Sequence, residues 1–178
     1  MSNYSTYFRV KHSAFVDAGV FDGQIGKDVN MHINPLLLRN CKVPEFENAY
    51  DEFLNYFKDI ISLAKHVKEL STTDRCFRQI IKLFQFKETH NSGLGYSVSG
   101  TRGTGISGAL SRQLAKNAVE IVRIGIEDPA IFTLLPIFEE GIGADRISDM
   151  TITILKKNFF AYTVRVAQEL GLKTASRL

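Results

Sequence analysis

The sequence predicts an α+β domain, mostly helical, with short strands near its N-terminus. Three observations predict it. Aromatic and β-branched residues broken by glycines crowd the first forty positions. From Phe46 onward, apolar residues recur at three- and four-residue steps. The length, 178 residues, is that of one ordinary domain, so residues 1–178 are read as a single domain. With 44% hydrophobic and 23% charged residues the chain is compositionally globular, and its 13 Phe and 6 Tyr against no Trp predict a core of phenyl rings.

Residues 1–43 form the irregular, β-containing part. Tyr7, Val10, Phe15, Val16, Val20 and Phe21 are strand-formers, interrupted by Gly19, Gly23 and Gly26. Asn34-Pro35 marks a turn, because proline fixes φ and lacks a donor. Residues 44–172 form the helical part. Pro44 opens a helix of about six turns through Phe46, Ala49, Tyr50, Phe53, Leu54, Phe57, Ile60, Ile61, Ala64 and Val67. Thr73 or Asp74 caps a second helix whose Phe77, Ile80, Ile81 and Phe84 face inward. A third carries Leu110, Leu114, Ala118, Ile121 and Val122 on one face. Asp128-Pro129 starts a short helix to about Phe138, Asp145 caps the next, and Asn158 marks a break before Phe159 to Leu170.

Charge and cysteine usage exclude several classes. Twenty-two basic against 19 acidic side chains leave +3, too little for a free-standing charge-driven nucleic-acid binder, although a local patch stays open. Cys41 and Cys76 lie far apart without a CxxC, which reads as reduced thiols in a cytoplasm. MSNYSTYFRVKHSAF has no apolar signal core, and no window approaches the ~18 apolar residues of a membrane span, so no membrane role is expected.

Two regions concentrate chemistry. The segment SGLGYSVSGTRGTGISG (residues 92–108) holds six of the 13 glycines, and Arg102 is its only charge. Glycine lets backbone approach a ligand, and a following helix offers free N–H groups to an anion. Gly103, Gly105 and Gly108 match GxGxxG, and a strand over Ile121 to Ile126 would complete a dinucleotide-binding unit. The preceding residues, however, are polar and glycine-broken, and Ile106 stands where a phosphate-binding loop needs lysine. Arg102, Gly103, Gly105, Ser107, Arg112 and Lys116 remain as an anion or nucleic-acid contact, against a plain packing corner.

The second region places Glu139, Glu140, Asp145 and Asp149 within eleven residues around a glycine turn. Asp145 and Asp149 stand one helical turn apart and could hold Mg2+ or Mn2+ together with Glu140. The same acids serve a helix N-terminus without any metal, and Arg146 could pair with Glu139 or Glu140. His90, just before the glycines, is a further acid–base candidate. His12, His32, His66 and His90 share no zinc-ligand spacing. No complete catalytic set is visible.

The runs HNSGLGYSVSGTRGTGISGAL, FEEGIGADRISDMT and NPLLLRNCKVPEF resemble an uncharacterised bacterial family linked to mobile and genome-defence loci, over about Asn30 to Leu172. Longer members of that family carry a C-terminal domain similar to PD-(D/E)XK nucleases, a core this chain does not show. The resemblance implies that cleavage resides elsewhere and that this part senses, assembles or positions. The expected function is a non-catalytic recognition or regulatory module of a defence or restriction-type system that contacts nucleic acid and works with a protein partner or a second copy. The alternatives are a metal-dependent phosphodiesterase or nuclease using Glu140, Asp145 and Asp149, and a nucleotide-binding domain on the glycine segment. The apolar run Phe159 to Val164 offers the expected docking surface.

Overall fold

The computed structural model describes residues 2–27, 29, 31–86, 106 and 108–172. The α-helices are α1 (Tyr4–Phe8), α2 (His12–Asp17), α3 (Ala49–Ala64), α4 (Arg75–Leu83), α5 (Gly108–Arg123), α6 (Leu135–Phe138), α7 (Ala144–Ile154) and α8 (Lys156–Glu169). Three 3-10 segments, Pro35–Asn40, Pro44–Phe46 and Pro129–Leu134, each begin on a proline, whose missing donor costs nothing in a first turn. The described residues divide into two compact units: those up to Met31 together with α8, and those from His32 to Phe86 together with Ile106 and Gly108 to Leu155.

The larger unit is organised around α3. Phe53, Phe57 and Ile60 are wholly buried on it, and it packs against α4, α5, α7 and the 3-10 segments. Phe57 is the hub of a ring cluster. Its ring lies 4.7 Å from that of Phe132, nearly parallel, and also touches Phe53, Tyr56 and Phe84. Each such buried ring stabilises the fold by about 1.5–3 kcal/mol. The helix is shorter than its apolar stripe predicts. It ends at Ala64, and Val67 is buried from the turn that follows, where its N–H donates to the Ala64 carbonyl.

Caps fix where the next elements begin. Asp74 Oδ1 accepts from the Phe77 N–H at 2.9 Å, while its Oδ2 accepts from Lys68 and Glu69. Those backbone donors, Phe77 first, hold the carboxyl below its ordinary range. Asp128 Oδ1 likewise accepts from Ala130. Asp145 does not cap α7, as its position had suggested. Gly143 takes that place, and Asp145 is the second helical residue, where its charge still meets the positive end of the helix. Leu155, fully buried, separates α7 from α8, three residues before the expected break at Asn158.

The α+β expectation is overturned. Among the described residues there is no strand or sheet, and the antiparallel bridge between Asn3 and Gln24 is isolated, so the fold is all-helical. Three of the six strand-formers sit in two short helices, Tyr7 in α1, and Phe15 and Val16 in α2, while Val10, Val20 and Phe21 lie in the loops around them. The physical reason is that β-propensity acts through cross-strand packing, and among the described residues bridges stay isolated and build no ladder. Arg9, at φ 56°, ends α1, and Gly19, at φ 66°, follows the end of α2, so neither segment runs on as extended chain. Within the same unit α8 buries Val166 and leaves Phe160 and Val164 59% and 46% exposed. No helix among the described residues is long and apolar enough to cross a membrane.

Candidate functional site

The end of the glycine-rich segment leads directly into α5. His90, Arg102, Gly103, Gly105 and Ser107 lie outside the described residues. Ile106 is buried and its N–H donates to the Phe86 carbonyl at 2.9 Å, so the position where a phosphate-binding loop would carry lysine is spent on the core. The strand that a dinucleotide unit would need over Ile121 to Ile126 is not formed. Ile121 to Arg123 complete α5, and Gly125, at φ 90°, turns the chain behind them.

Burial divides α5 into two sides. Ser111, Leu114, Ala115, Ala118 and Val119 face the core. Arg112 and Lys116, one turn apart, lie on the exposed side. Lys116 sits 3.8 Å from Glu120, a long contact between two half-exposed groups that leaves the lysine available to another anion. In the adjacent row Gln113 Nε2 donates to Asn117 Oδ1 at 2.9 Å, and Asn117 Nδ2 donates to Glu139 Oε2. The outward side of α5 is thus tied to the acidic turn.

The acidic turn is engaged structurally. Glu139 follows α6, its N–H donating to Leu135, and Ile142 behind it is buried. Partial desolvation raises the Glu139 carboxyl above its ordinary range, the Asn117 hydrogen bond opposes this, and the neighbouring Glu140 charge adds to it. Gly141 turns the chain at φ 87°, and Arg146 Nη1 donates to its carbonyl. Glu140, Asp145 and Asp149 do not converge: among the described residues no three His, Cys, Asp or Glu side chains are placed to hold a metal ion. The expected Mg2+ or Mn2+ site of these three residues therefore lacks its geometry. Ser148, between them, is buried and accepts from the Ile33 N–H at 3.1 Å.

One polar network had no counterpart in the sequence reading. In the N-terminal unit Asp22 Oδ1 accepts from the Ser5 N–H at 2.8 Å, and its Oδ2 accepts from the Ser5 hydroxyl at 2.5 Å and lies 2.9 Å from His12 Nδ1. These bonds, the Ser5 hydroxyl foremost, bring the Asp22 carboxyl down to about 2. The order of groups differs from that of a nucleophilic triad, because the carboxylate stands between hydroxyl and imidazole, where a triad places the imidazole next to the hydroxyl. The network is a staple that ties α1, α2 and the following loop. Cys41 and Cys76 are free thiols.

A family model described as a domain of unknown function (DUF8370) matches residues 9–178. No curated protein and no solved structure matches the chain.

Proposed function

The chain belongs to the DUF8370 family, and we propose that it acts as a non-catalytic recognition or regulatory module of a bacterial defence or restriction-type system, contacting nucleic-acid backbone in the cytoplasm. The observation that carries this reading is the exposed side of α5, where Arg112 and Lys116 stand one turn apart just after the glycine-rich segment with Arg102. Such a row suits successive phosphates. The free thiols favour a reducing compartment. The resemblance over about Asn30 to Leu172 supplies the defence setting. The acidic residues give a catalytic alternative little support, since Glu139 is held by Asn117 and the other three do not meet.

A protein partner or second copy is part of the proposal. Leu134 precedes Ile137 and Phe138 by three and four residues, and the three are 40%, 80% and 41% exposed, while Phe132 and Leu135 are buried. An outward apolar row of this kind favours docking.

The test is salt dependence. If Arg102, Arg112 and Lys116 each meet one phosphate of a DNA duplex, affinity should fall about 40-fold between 50 and 200 mM salt, and about 12-fold in Arg112→Ala or Lys116→Ala. Binding that ignores both substitutions would remove this reading.

A further inference from the structure

The N-terminal unit carries a shallow cleft that neither the sequence reading nor the backbone contact uses. It has a volume of about 410 Å³ and is lined by Asn3, Phe21, Asp22, Gly23, Gln24 and Lys27. That is within the roughly 300–1,000 Å³ of small-molecule sites. Its construction is specific. The Tyr4 N–H donates to the Gly23 carbonyl at 3.0 Å and the Ile25 N–H to the Ser2 carbonyl at 3.1 Å, which frames Asn3 and Gln24 as the non-hydrogen-bonded pair of the bridge. Opposite residues in such a pair approach to about 4.5 Å between Cα atoms and project to the same face. Two carboxamides are thereby set side by side. Asn3 does not spend its amide on capping α1.

Gly23 makes room for the ring beside them. A Cβ there would stand 3.3 Å from the Tyr4 ring and 3.4 Å from the Phe21 ring, so both rings rest on bare backbone. Phe21 is 57% exposed, an apolar face held open to solvent at the edge of the cleft. Lys27 adds a cation and the Asp22 staple fixes the loop from behind.

We propose that this cleft binds a nucleobase together with its phosphate. The base stacks on Phe21, the Asn3 and Gln24 amides donate to and accept from its hydrogen-bonding edge, and Lys27 meets the phosphate. A free nucleotide and a base of a single strand present the same chemistry. The inference extends the nucleic-acid reading above by naming single-stranded bases as what is read, yet it rests on different residues.

The experiment uses the full chain, titrated with adenosine and cytidine 5′-monophosphate, with ribose 5-phosphate, and with a labelled single-stranded oligonucleotide, following amide resonances of Gly23 and Gln24 and fluorescence anisotropy. Nucleotides should shift these amides at millimolar concentration or below, and ribose 5-phosphate should bind more weakly. Phe21→Ala should weaken binding roughly 5- to 150-fold, and Phe21→Tyr should retain it. Because Phe21 is largely exposed, its substitution should leave the melting temperature unchanged, which separates loss of binding from loss of fold. The proposal is overturned if nucleotides leave these amides unmoved, if ribose 5-phosphate binds equally well, or if Phe21→Ala changes nothing. Strand binding that depends on Arg112 and Lys116 but not on Phe21 would overturn it while leaving the backbone reading intact. Free-nucleotide binding that depends on Phe21, with no strand binding, would support the cleft as a free-nucleotide site and overturn single-stranded bases as what it reads, the duplex titration deciding the backbone reading separately.

Discussion

The ring cluster that joins Pro129–Leu134 to α3 predicts a measurable coupling between Phe57 and Phe132. Both side chains are buried, at 0% and 1% exposure, with centroids 4.7 Å apart and planes 13° from parallel. Leucine at either position keeps an apolar body but loses the ring, so each single substitution should cost about 1–2 kcal/mol, below the 3–5 of truncation to alanine. Stacked rings contribute about 0.5–1.5 kcal/mol beyond their buried area. Phe57→Leu combined with Phe132→Leu should therefore destabilise by less than the sum of the singles, by that amount. Urea unfolding followed by far-UV circular dichroism measures it, with an unchanged m-value required for the comparison. Losses that add to within about 0.3 kcal/mol would refute a contribution of this ring pair beyond burial alone.

Two further expectations concern the carboxylates. Asp22, whose carboxyl is lowered to about 2 in the fold, contributes stability that is present above its unfolded value of 3.8 and is lost as pH falls through about 2. Exchange protection of the Ser5 amide should drop over that interval, and Asp22→Asn should abolish the pH dependence. Glu139 carries the opposite sign. Its raised carboxyl gives a contribution present at acid pH and lost as the group ionises. Glu139→Gln should therefore melt no lower than the parent at neutral pH and converge with it below pH 4, as calorimetry at both values would show.

The helical half was legible because its apolar residues repeat with the helix period. Phe53, Phe57, Ile60, Ile61, Phe77, Ile80, Ile81 and Phe84 are all buried as their spacing predicts. Asp74 and Asp128 cap where short-range chemistry places them. Legibility failed where structure depends on partners distant in sequence. Tyr7, Phe15 and Val16 have strand propensity, but no strand is formed among the described residues to pair with them, and short helices closed by local turns form instead. The Ser5–Asp22–His12 staple joins residues up to 17 positions apart with no periodic mark. The Asn117–Glu139 bond spans 22 positions, so the acidic turn read as a metal cluster when it is anchored to α5 by an amide. For the cleft, the only local sign was Gly23 beside Phe21, which resembles an ordinary strand break until Asn3 and Tyr4 are placed against it.

Recognition of nucleic acid without cleavage is tested by a pair of gels. Labelled single- and double-stranded DNA, incubated at low salt with the purified chain and millimolar Mg2+ or Mn2+, is resolved in parallel on native and denaturing gels. The account predicts retarded DNA on the first gel and intact strands on the second, with neither result altered in Asp149→Asn. Metal-dependent cleavage that disappears in Asp149→Asn would contradict it and place catalysis in the acidic turn.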